Sequence, residues 1–165
     1  MPTSMLTMAS DSFVVDIQGF KTVNNTFVMK EVAIEGLRTR IRFHCIIKPP
    51  TFYPTVNKKQ IQFVTKNIHG IKWHAGWLGY GKAVTTIREI LANAKHIFIK
   101  GSERTKFLSN LLGNRGNVFD LDNIFDLKEK PLIDAEVYCG YKEHAHRWLG
   151  RCAFNKMITY RNWLL

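Results

Sequence analysis

Acidic residues are scarce in this sequence: 13 Asp and Glu stand against 24 Lys and Arg, a formal net charge of +11 over 165 residues. That imbalance favours polyanionic partners, because each phosphate neutralised by a basic side chain releases counterions. Cysteine is scarce too. Its count of three, an odd number, argues against a disulfide framework and for an intracellular protein. Apolar runs are short, and none approaches the ~20 residues of a membrane helix. The opening MPTSMLTMASDS has no basic stretch before a long apolar core, so neither a membrane span nor a secretory leader is expected. No repeat and no long linker interrupt the chain, which leaves one domain over residues 1–165 with 1–11 as a flexible lead-in. What is present is a core: 45% apolar and 12% aromatic residues describe a globular chain.

Periodicity orders the elements. SFVVDIQGF reads as a strand that ends in a glycine turn, and Asn24-Asn25 suits the left-handed backbone of a hairpin into a second strand, TFVMKEVAIEGL. RIRFHCIIKP alternates basic and apolar residues before a Pro-Pro stop, so it is expected as a third strand with one wet face. TVNKKQIQFVTKNI is a short helix or an ordered loop. AVTTIREILANA places Val84, Ile87, Ile90 and Leu91 at helical spacing. KHIFIKG is a short strand, SERTKFLSNLLGN a helix with Ser102 as cap and Gly113 as stop, and NVFDLD a last strand. HRWLGRCAFNKMITYRNWLL is a C-terminal helix that should bury Trp148, Cys152, Met157, Tyr160 and Trp163. Strands in a meander followed by alternating helices and strands predict an α/β mixed sheet with helices on its faces.

The chemistry begins at Asp16, a lone acid on an apolar strand and therefore costly to bury unpaired. It is either a metal or water ligand, or a carboxylate paired with Lys or Arg. The element order and four short motifs resemble the RNase H-like fold of DEDD-type 3′–5′ exonucleases, whose mixed sheet has five strands flanked by helices. DIQGF stands where those enzymes carry Asp-x-Glu, with Gln18 in place of the second acid. NIHGI resembles the loop before their second motif. IFIKGSERTKFL resembles the second motif itself, with Arg104 nearest the acid and Glu103 beside it. EHAHRWLGRCAF resembles the last motif, with Cys152-Ala153 in place of Asp-Ala. Two-metal phosphodiester chemistry needs acids around cations ~4 Å apart. Gln18 coordinates weakly, Arg104 repels a metal, and Cys152 is too soft for Mg²⁺. The resemblance therefore implies a dismantled site. It is closer still to the Maelstrom domain, which implies a Glu-His-His-Cys zinc site at Glu31, His69, His144 and Cys152. The chain also resembles uncharacterised arthropod proteins associated with mobile elements or viruses.

Independently of any family, CGYKEHAHRWLGRC places Cys139, His144, His146 and Cys152 within a short segment, an alternative set of zinc donors. The basic residues supply the other candidate site. Lys95, Lys100, Arg104 and Lys106 surround a strand end and a helix start, where backbone amides bind phosphate. Lys72, Trp73 and Trp77 interleave charge with aromatic platforms suited to unpaired bases; otherwise these indoles are core and these lysines solvated. GYGK and GNRGN lack phosphate-loop spacing.

The expectation is a degenerate exonuclease-fold domain that binds single-stranded nucleic acid, RNA ahead of DNA, with a structural zinc and no membrane contact. A working nuclease using Asp16 with Mg²⁺ or Mn²⁺ and acids such as Glu31, Glu103, Asp120 or Asp122 is the first alternative. A zinc-stapled protein-interaction module is the second.

Overall fold

The computed structural model describes residues 11–51, 57–125 and 152–165. Its centre is a mixed five-stranded sheet in the order β3-β2-β1-β4-β5. β1 (Phe13–Lys21), β2 (Phe27–Gly36) and β3 (Arg42–Ile46) form the antiparallel meander, while β4 (Ile97–Ile99) and β5 (Val118–Asp120) run parallel to β1. The β1–β2 turn closes through Asn25, which takes φ 64° as an Asn-Asn pair permits. A bulge between Gln18 and Gly19 twists the hairpin. Gly19 is required there, since a Cβ would lie 2.1 Å from the Val28 carbonyl oxygen.

Alternation on β1 assigns two faces. Phe13, Val15 and Ile17 point to one apolar cluster with Val32, Ile34 and Cys45. That cluster is roofed by Ile87 and Leu91 of α2 (Tyr80–Leu91) and Leu108 of α3 (Ser102–Leu111). Val14 points the other way, into a second cluster with Ala153, Met157, Ile158 and Tyr160 of α4 (Ala153–Leu164). The uncertain segment before these helices is α1 (Lys58–Val64), capped by the Asn57 side chain and continued by a π-helical turn (Thr65–His69) that stops at Gly70, φ 73°.

Several expectations change. β3 has no wet face over His44: that ring stacks on Phe154 of α4, centroids 5.1 Å apart, because α4 returns across the sheet from the far end of the sequence. Ser102 is not the cap of α3; the cap position is Gly101, with no side-chain bond. Asp11 does not belong to a flexible lead-in. It is buried and accepts from the amides of Ser12, Arg38 and Thr39 and the Thr39 hydroxyl, which fastens the β2–β3 turn. α4 starts at Ala153 with Cys152 as its cap, while Trp148 lies outside the described residues.

Candidate functional site

The face of the sheet under α4 is polar where an apolar stripe would ordinarily lie. Strand alternation and register bring Asp16 and Gln18 of β1, Glu31 and Glu35 of β2, and Arg42 and His44 of β3 onto it. Asp16, Gln18, Glu31 and Glu35 are each at most 2% exposed. Buried carboxylates persist only when hydrogen-bonded and charge-compensated, so each must have a partner.

Asp16 accepts from the Gln18 amide nitrogen at 2.7 Å. Arg104, from the first turn of α3, donates from Nε to the Ile17 carbonyl and from Nη2 to Gln18 Oε1 at 3.4 Å, and its guanidinium lies 5.8 Å from the Phe27 ring centroid. Gln18 therefore bridges the acid and the guanidinium. Lys156 reaches the same place from α4. Burial holds the Asp16 carboxyl above the ordinary carboxylate range, while Lys156 and Arg104 draw it down. Burial holds the Lys156 ammonium below its ordinary range, and Asp16 draws it back up. The centre is one buried acid held by Gln18, with Lys156 and Arg104 acting on it through their charge.

Glu31 organises the start of α4. Its Oε1 accepts from the Ala153 amide at 2.7 Å, and its Oε2 lies 2.7 Å from His44 Nε2. A carboxylate at a helix N-terminus meets unsatisfied amides and the positive end of the dipole. Cys152 caps the same turn by accepting from the Asn155 amide. Glu31 and Cys152, two expected zinc donors, are thus neighbours. His69 is committed elsewhere: Nδ1 accepts from the Ile71 amide at 3.0 Å, and Nε2 donates to the Gly19 carbonyl at 3.1 Å. One neutral tautomer satisfies both bonds, and metal ligation by His69 would require giving one up. His144, His146 and Cys139 lie outside the described residues. Among the described residues, no group of three or more His, Cys, Asp or Glu could hold a metal ion.

A scan against protein-family models and a search of curated proteins both return no match for this chain. The site is therefore read from its own geometry.

The remaining acids of the nuclease alternative serve other bonds. Glu103 pairs with Lys21 at 2.7 Å, Asp120 accepts from the Gly101 and Asp122 amides, and Asp122 faces Lys100 at 3.4 Å. The basic residues are not one patch. Lys95 precedes β4 and Lys100 follows it, so they stand at opposite ends of that strand. Arg104 is turned inward. Lys72, Lys95 and Lys106 are exposed, and Lys100 is partly exposed. Trp73 packs edge-on against Phe20 at 5.6 Å, whereas Trp77 is 46% exposed.

Sequence reasoning passed over Lys156 and Lys30. Lys156 lies four residues after Cys152 and four before Tyr160, both buried, a spacing that places it on the inward face of α4. Lys30 sits at the bulge, fully buried, and donates to the carbonyls of Ile47 at 2.6 Å and Ala75 at 2.5 Å. It ties the loop bearing Trp73 and Trp77 to the end of β3. Burial brings its ammonium down to about 7. Among the described residues, no helix is long and apolar enough to cross a membrane.

Proposed function

We propose that this chain is a non-catalytic, RNase H-like module, related in design to DEDD exonucleases and the Maelstrom domain, that binds single-stranded nucleic acid, RNA ahead of DNA, inside the cell. The observation that carries this reading is the surroundings of Asp16: its hydrogen-bond partner is the neutral Gln18 amide, which also accepts from Arg104. Two divalent cations need several acids close together, whereas here the one acid on the central strand is bonded by Gln18 and lies within the electrostatic reach of Lys156 and Arg104. The net charge of +11, the exposed Lys72 and Lys106, and the exposed Trp77 support a single-strand ligand.

Purified protein incubated with single-stranded RNA or DNA in Mg²⁺ or Mn²⁺ is expected to leave the strand intact, yet to retain it in a binding assay at low salt. Replacing Lys100 and Lys106 with Ala should flatten the salt dependence by roughly 1–2 units, at about 0.7 per phosphate contact. Trp77→Ala should weaken binding by ~1–3 kcal/mol with an unchanged slope, because stacking releases no counterions. Processive 3′ shortening that vanishes in Asp16→Asn would overturn the non-catalytic reading. Binding that ignores salt would overturn the phosphate reading.

Zinc belongs to the same proposal. His144 and Cys152 would be two of its donors, with either Glu31 and His69 or Cys139 and His146 completing four-coordination. Elemental analysis of protein prepared without chelators should then report one zinc per chain, lost together with thermal stability in Cys152→Ser. Metal-free protein of full stability would remove zinc from the reading.

A further inference from the structure

At the end of the sheet opposite Lys100, beneath the last turn of α4, lies a cavity of about 570 Å³ lined by Glu35, Leu37, Arg40, Arg42, Arg161 and Leu165. Three guanidiniums and one carboxylate line it, and two of the three bind that carboxylate. Glu35 is 2% exposed, and both its oxygens are taken. Oε2 accepts from Arg42 Nε at 3.0 Å and pairs with Arg42 Nη2 at 2.9 Å, while Oε1 pairs with Arg161 Nη1 at 2.6 Å. The Arg42 guanidinium also lies 5.0 Å from the Phe154 ring centroid, so its plane is fixed on two sides. The buried acid thus holds two arginine forks in place, and preorganised forks are what bidentate recognition of an oxyanion requires.

Charge and hydrogen bonding are both left over. Among the side chains lining the cavity, three cations stand against one acid. Arg161 Nε is buried with no acceptor among the described residues. A desolvated donor without a partner is costly, and an incoming oxygen acceptor would relieve it. Arg40 is exposed, takes φ 59° in the β2–β3 turn, and projects no described side-chain bond. Leu37 and Leu165 supply apolar wall. The volume lies within the range of small-ligand sites.

We infer that this arginine cavity is an anion site for a phosphoryl group carried on a nucleotide-sized ligand, separate from the Asp16 centre and independent of the single-strand surface proposed above. The phosphoryl oxygens take the unspent N–H groups of Arg42 and Arg161 and the charge of Arg40. The chemistry is shared by a free nucleotide, a terminal phosphate and a backbone phosphate.

The full chain is titrated calorimetrically with inorganic phosphate, with adenosine 5′-monophosphate, and with a short oligonucleotide carrying either a 5′-phosphate or a 5′-hydroxyl. The monophosphate is expected to bind at least tenfold more tightly than inorganic phosphate. A preference for the 5′-phosphorylated strand identifies a terminal phosphate as the source; equal binding of the two strands identifies a backbone phosphate. Arg40→Asn keeps the left-handed turn, which Asn tolerates, and leaves Glu35 paired, so its folding is unchanged while monophosphate binding falls at least fivefold. Arg161→Lys keeps a charge for Glu35 and removes the fork, with a larger loss. Absence of binding by every probe overturns the inference. So does an Arg40→Asn variant that binds like the parent, whatever Arg161→Lys does. Lys100→Ala with Lys106→Ala leaves monophosphate binding intact, which separates this result from the single-strand reading.

Discussion

Lys156→Met is expected to lower folding stability, because it removes a charge that favours the ionised Asp16 carboxylate. Asp16 is 2% exposed and would be left with the Gln18 amide and the charge of Arg104 for compensation. Asp16→Asn alone should be destabilising for the mirror reason, since the Lys156 ammonium then loses the acid that draws its proton affinity back up. The double variant Asp16→Asn/Lys156→Met should recover most of the loss, because a neutral amide can still accept from Gln18 and methionine fills the lysine stem. Urea denaturation of all four proteins closes the cycle. A coupling energy of ~2 kcal/mol or more is expected; single losses that simply add would show that Arg104 alone serves Asp16.

Stability should also climb with pH above neutrality, and Lys30 is the reason. In the unfolded chain this amine keeps its proton to 10.5, whereas in the fold burial brings it to about 7. Between those values the unfolded state binds more protons, so stability rises with pH through that window and is flat below it. Each unit contributes up to about 1.4 kcal/mol; the carbonyls of Ile47 and Ala75 favour the ammonium and temper the slope. Lys30→Met removes the titration and leaves two buried carbonyls without their donor, at ~1–3 kcal/mol each. The stability gap between parent and variant should therefore widen by about 3 kcal/mol from pH 6.5 to 9.5. Parallel pH profiles for the two proteins would show that Lys30 keeps its proton throughout. Tyrosine and cysteine titrations shift both curves alike and cancel in the difference.

Local chemistry made the sheet legible. The β-branched alternation of FVVDIQ, the Asn-Asn turn and the 3.6-residue spacing of Ile87 and Leu91 are short-range signals, and the strands and helices lie where they point. The cover over β3 was not legible. His44 looks solvent-facing in RIRFHC, and only the return of α4, more than a hundred residues later, buries it against Phe154. The site divides the same way. Asp16 stood out as an acid among apolar neighbours. Arg104 read as a phosphate ligand because a charged residue in the first turns of a helix is ordinarily outside; its inward course depends on the Ile17 carbonyl and Gln18, contacts of long sequence separation. Lys156 was silent for the same reason, since one lysine among NKMITY carries no sign of the acid it will meet.

The polar network around Asp16 is made entirely of groups that belong to the chain. Gln18 donates to Asp16 and accepts from Arg104, while burial and the charges of Lys156 and Arg104 pull the Asp16 carboxyl in opposite directions. Groups covalently part of the chain cannot be exchanged for ions from solution, so the stability of the fold around Asp16 should not respond to added magnesium.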